Sequence, residues 1–141
     1  MVEYGTNDID LYHLDFDQAT TEYAQWTLVM PSDYDGGTIS AVFYWTVTGG
    51  GAAESVRWGL QGRSYGDSDA IDQAWGAAQE VDDTWITDND VHITSTTASI
   101  TLAGTPAASE LVQIRVYCDA ANSDLGGDAR LIAVRLTFTR T

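Results

Sequence analysis

The stretch Thr38-Ile-Ser-Ala-Val-Phe-Tyr-Trp-Thr-Val-Thr48 decides the fold class, because it alternates without a break. Successive side chains of an extended strand point to opposite faces. Ile39, Ala41, Phe43, Trp45 and Val47 therefore share one face, and Ser40, Val42, Tyr44, Thr46 and Thr48 share the other. β-branched and aromatic residues of this kind suit a pleated, half-buried surface. Turn-forming clusters bound the stretch on both sides, Pro31-Ser-Asp-Tyr-Asp-Gly-Gly37 before it and Gly49-Gly-Gly51 after it.

Working outward, comparable runs occur at Ile9 to Phe16, Tyr23 to Met30, Ser55 to Arg63, Val81 to Thr87, Val91 to Thr94, Ser99 to Ala103, Leu111 to Cys118 and Leu131 to Thr139. One segment reads differently. Between Asp67 and Gln79, Ala70, Ile71, Ala74, Trp75 and Ala78 are spaced for one face of a short helix, with Asp67 or Ser68 as its N-cap. About nine short strands and one inserted helix predict an antiparallel sandwich or barrel rather than alternating βα units. In the last run, Ile132, Val134, Leu136 and Phe138 form an apolar face, opposite Leu131, Ala133, Arg135 and Thr137. No linker divides the chain, so one domain is expected: residues 1–21 as an N-terminal arm with the first strand, and residues 22–141 as the body.

The composition narrows the function. In 141 residues there are 21 Asp plus Glu against six cations, all of them arginine, for a net charge of −15. Five Trp and a 44% hydrophobic fraction provide a core, which acidic disordered chains lack. Nucleic acid is disfavoured as a partner, since phosphate binding requires clustered Lys and Arg. The opening Met1-Val-Glu-Tyr-Gly5 has no basic segment followed by an apolar one, so no cleaved secretory signal is expected. No run approaches the length of a membrane span. Synthesis in a cytoplasm, without membrane association, is the resulting expectation. The single Cys118 lies in a strand-like run and reads as a small buried hydrophobe.

Motifs that carry chemistry are scarce. His13 and His92 each stand between apolar or aromatic neighbours on strand-like runs. There is no Gly-x-Ser-x-Gly and no zinc-binding histidine pair at i, i+4. No catalytic residue, cofactor site or resident metal is assigned, and the protein is not expected to be an enzyme. Asp88, Asn89 and Asp90 form the best calcium candidate, a cation that takes several oxygens. Asp and Asn in turns account for the same residues through bonds to their own backbone. Tyr34, Tyr65 and Trp85, beside Asp-rich loops, are candidate sugar platforms. Trp26, Trp45, Trp58 and Trp75 are expected in the core or at subunit contacts.

Three blocks carry a resemblance: Met30-Pro-Ser-Asp-Tyr-Asp-Gly-Gly-Thr-Ile-Ser-Ala-Val-Phe-Tyr-Trp-Thr46, Val56-Arg-Trp-Gly-Leu-Gln-Gly62, and Asp69-Ala-Ile-Asp-Gln-Ala-Trp-Gly-Ala-Ala-Gln-Glu-Val81. Ile100 to Ala108, Leu111 to Tyr117 and Asp128 to Val134 extend it. Together they resemble small jelly-roll virion proteins of tailed bacteriophages, of the capsid decoration and head- or tail-fibre types. The resemblance implies an antiparallel jelly-roll β-sandwich of about eight or nine strands with one short helix. It also implies a structural subunit on the virion surface, a homotrimer bound to other virion proteins such as the major capsid protein. The alternative is a carbohydrate- or receptor-binding module of a tail fibre. Arg115 and Arg135 are the candidate subunit contacts, since arginine's forked donors suit carboxylates.

Overall fold

In the computed structural model, which describes residues 1–141, the alternating stretch lies at the heart of strand β5, Tyr34–Thr46. Its apolar face is buried throughout: Ile39 is 3% exposed, and Phe43, Trp45 and Val47 are fully enclosed. Before it come β1 (Val2–Tyr4), β2 (Ile9–Leu11), β3 (Leu14–Phe16) and β4 (Glu22–Val29). After it come β6 (Ser55–Tyr65), β7 (Gln79–Thr84), β8 (His92–Ile93), β9 (Leu111–Cys118) and β10 (Ala129–Arg140). Strands β1 and β2 form a hairpin, and the others form two four-stranded sheets in the orders β3-β10-β5-β8 and β4-β9-β6-β7. Every pairing between strands is antiparallel.

The two sheets share one core in a sandwich-like arrangement. Phe43 of β5 stacks on Trp58 of β6 with ring centroids 5.8 Å apart, and Phe16 of β3 meets the same indole edge-on at 5.2 Å. Offset and edge-on contacts are the favoured geometries for such rings. Val56, Leu60, Val116 and Cys118 complete the centre with no exposed surface. Burial holds the Cys118 thiol above its ordinary pKa, and the hydroxyl of Ser123 and the carboxamide of Gln18 lie beside its sulfur.

Four expectations are corrected. First, Asp67–Gln79 is not a helix but an extended crossing with turns over the outer face of β6. Ser68 has a left-handed φ of 73°, and strand side chains take the carbonyls a helix would use. Gln61 donates to Gly76, Arg63 to Ala74 and Tyr65 to Ile71, at 2.9, 2.9 and 2.8 Å. Alternate residues of one strand thus fix the crossing at three points.

Second, Ser99 to Ala103 is not a strand. The chain from Thr94 to Ile100 runs beside β5 with irregular bonding: the amides of Thr94, Thr97 and Ile100 donate to the carbonyls of Phe43, Ala41 and Ile39. In return, the hydroxyls of Thr94 and Thr97 accept the amides of Phe43 and Ala41. Threonine side chains replace the strand carbonyls, and this edge of the sheet is sealed.

Third, a bulge between Leu131 and Ala133 reverses the facing of β10 partway along. Leu131 therefore lies in the core, 2% exposed, while Val134, Leu136 and Phe138 pack against it from farther along. Fourth, Ile9 to Phe16 is broken at Tyr12-His13 into β2, which folds back on β1, and β3, which pairs with Ala129–Leu131 of β10. Within residues 1–21, expected to hold an arm and the first strand, Leu14–Phe16 is the part that joins the four-stranded sheet.

Candidate functional site

Strand β4 presents alternate residues to two different places. Gln25 and Thr27 face a cleft of about 840 Å³ on the outer side of their sheet. Trp26 and Leu28 face inward, to an apolar groove at the side of the molecule.

The floor of the cleft is a polar ladder across β4 and β9. The Thr27 hydroxyl donates to Gln113 Oε1 at 2.5 Å, and Gln113 Nε2 donates to Gln25 Oε1 at 3.2 Å. The crossing segment builds the wall with Trp75, Ile71 and Gln73, and Tyr65 stands at its foot. Asp67, Asp69, Asp72 and Glu110 form the rim, and no lysine or arginine lines the space. Behind the wall, the Arg115 guanidinium lies 4.9 Å from the Trp75 ring and 4.5 Å from that of Tyr23, and its Nε donates to Gln61 at 2.6 Å. Arg63 lies 5.4 Å from the Tyr65 ring and also bonds Gln73. Neither arginine has a carboxylate partner.

The three proposed sugar platforms do not come together. Of Tyr34, Tyr65 and Trp85, only Tyr65 lines the cleft. Tyr34 is buried, donates to the Gly37 carbonyl at 2.8 Å and meets Phe138 edge-on. Trp85 packs against the core and donates from its indole to Asp88. Trp75, expected in the core, is instead the aromatic wall. Sequence reasoning missed Gln25, Thr27 and Gln113; their alternation with Trp26, Leu28 and Ile114 was the available signal.

The calcium candidate has a structural occupation. The Asp88 carboxylate accepts the amides of Gly49 and Gly50 at 2.7 and 2.9 Å and the Trp85 indole at 3.0 Å. These donors hold it below the ordinary carboxylate range, the Gly49 amide most of all. Asn89, at a left-handed φ of 61°, accepts the Thr48 hydroxyl. The side chains of Asp88 and Asn89 thus tie the loop to Thr48, Gly49, Gly50 and Trp85, and no group of three His, Cys, Asp or Glu side chains gathers there to hold a metal ion.

The two histidines sit in different surroundings. His92 is fully buried 4.2 Å from the Trp45 ring, where Nε2 accepts the Ile86 amide at 2.9 Å and Nδ1 meets the Asp90 carbonyl at 3.1 Å. A carbonyl can only accept, so the proton is on Nδ1. His13 lies with its Nδ1 2.7 Å from Asp15. The two do not form a shared site.

The groove lies between the sheets on the side opposite the sealed edge. It consists of two adjoining recesses of about 310 Å³ each, which share Trp26, Ile132, Ala133 and Val134. Strand β4 pairs only with β9, and β10 beyond Leu131 pairs only with β5, so both flanking strands present a free edge. Of the two candidate contact arginines, Arg115 is enclosed between Tyr23 and Trp75, while Arg135 is exposed and has no partner in the chain. No protein-family model matches this chain, and neither curated proteins nor solved structures provide a match.

Proposed function

We propose that this chain is a non-enzymatic jelly-roll subunit of a bacteriophage particle, assembling with copies of itself on the virion surface as a decoration or fibre protein. The jelly-roll reading is supported by the strand order. A jelly roll divides eight strands between two sheets and sets its first strand beside its last. Taking β3 to β10 as the eight, β3 lies beside β10, and each sheet draws on both halves of the chain.

The observation that carries the assembly reading is the contrast between the two sides of the molecule. One side is sealed by Thr94 to Ile100. The other leaves two strand edges free along an apolar groove in which Trp26 is 39% exposed. Unpaired edges are templates for pairing with another chain. Charge favours a second copy as the occupant. Within the chain Arg130 and Arg140 of strand β10 already stand 3.8 and 3.5 Å from Asp15 and Asp33, which leaves Arg135 exposed and free to meet carboxylates of a second copy's residues 1–22, among them Glu3, Asp8 and Asp10, a segment with no Lys or Arg.

Sedimentation velocity over a concentration series tests the assembly. An oligomer is expected, with a trimer as the stoichiometry the resemblance implies, and Trp26→Glu together with Val134→Glu is expected to dissociate it. A monomer at every concentration would overturn the assembly reading. Mass spectrometry of purified particles from cells carrying the gene tests the virion assignment, which fails if the chain is absent from all of them.

A further inference from the structure

The cleft over β4 and β9 opens on the opposite face of β4 from the groove. We propose that it binds a neutral carbohydrate without a metal ion, with Trp75 and Tyr65 as ring platforms, Asp67, Asp72 and Glu110 accepting from the hydroxyls and the Gln25 amide nitrogen donating to one.

The argument proceeds from which groups are free. Gln113 and Gln73 are occupied by partners in the chain, and Asp69 and Glu110 each give one oxygen to a backbone amide. Asp67 and Asp72 have no partner, and the second oxygens of Asp69 and Glu110 and the amide nitrogen of Gln25 are also unengaged. The cleft therefore offers mostly acceptors and calls for a ligand rich in donors. An anion is excluded by four carboxylates with no lining cation. No three of the carboxylates converge as a metal-holding group.

Hydroxyls and ammonium groups remain, and the arginines decide between them. The guanidinium groups of Arg115 and Arg63 already lie against the rings of Trp75 and Tyr65. A second cation on the same rings would meet the repulsion of these guanidinium groups. The weakly positive C–H groups of a sugar ring suit an aromatic face without it. The volume, about 840 Å³, falls within the range of small-ligand sites.

Titration of the ¹⁵N-labelled protein with maltotriose, cellotriose and chitotriose, followed by NMR, tests this, alongside a glycan array for other neutral saccharides. Binding is expected to shift the side-chain amide resonances of Gln25 and Gln113 and the indole of Trp75, and to be insensitive to EDTA. Trp75→Ala should weaken it about tenfold. Asp72→Asn, which removes no bond within the chain, should weaken it severalfold while leaving circular dichroism unchanged. Absence of binding to every neutral saccharide, loss of binding in EDTA, response to spermidine alone, or indifference to both substitutions would overturn the proposal. A monomeric protein that still binds sugar would refute assembly and leave this site intact.

Discussion

Asp88 and His92 sit four residues apart in the sequence, and both hold the loop between β7 and β8. Asp88 has a folded pKa below its ordinary value of 3.8. Its stabilising effect is thus complete above that value and is lost as pH falls through the lower folded one. Asp88→Ala should flatten the acid limb of a plot of melting temperature against pH, and an unchanged limb would contradict the assigned donors. His92→Leu should cost about 2–4 kcal/mol in urea denaturation, because it orphans the Ile86 amide inside the core. Cys118, with its thiol pKa raised by burial, should resist thiol reagents in the native state and react fully once unfolded. Burial of Cys118 was legible from its strand-like neighbours. The engagement of Asp88 was not, because two of its three donors, the amides of Gly49 and Gly50, lie 39 and 38 residues away in the chain.

Among the elements, β5 was legible almost residue by residue, since period-2 alternation of apolar side chains has one physical meaning. The crossing from Asp67 to Gln79 was not. Its apolar spacing imitates a helix, and what defeats the helix is the set of donors on Gln61, Arg63 and Tyr65, which come from another element. Gly76 fixes where the crossing can lie: a Cβ there would meet Ala103 N at 2.7 Å and Gly62 O at 2.9 Å, both backbone atoms that cannot swing away. Gly76→Ala should therefore destabilise the fold by roughly 2–4 kcal/mol. It should also displace the wall of the cleft, measurable as perturbed amide shifts in Trp75 and Gln61. A neutral Gly76→Ala would show that the crossing rests on the sheet less closely than described. The polar floor of the cleft was only half legible: alternation placed Gln25 and Thr27 together, but their proximity to Trp75 depends on the route of the crossing.

For the molecule as a whole, the charge of −15 opposes any gathering of copies. Salt shortens the reach of that repulsion to about 8 Å at physiological strength. Sedimentation should accordingly show a larger oligomer fraction in about 150 mM salt than in about 10 mM. A decrease would mean that ion pairs between β10 and the acidic amino-terminal segment outweigh the general repulsion. The all-β character and single core were readable from composition and alternation. The difference between a sealed and an open side was not, because it depends on the threonines that serve β5 and on a bulge that turns Leu131 inward. The placement of β10 also sets the order of events as the chain folds. It is the last of the ten strands to be made, yet it stands between β3 and β5 in its sheet. A nascent chain that has produced the first nine strands still exposes Phe16, Phe43 and Trp45 along an open seam. Closure of that seam joins residues more than a hundred positions apart, a long-range pairing of the kind that makes folding slow and partly made chains prone to aggregate.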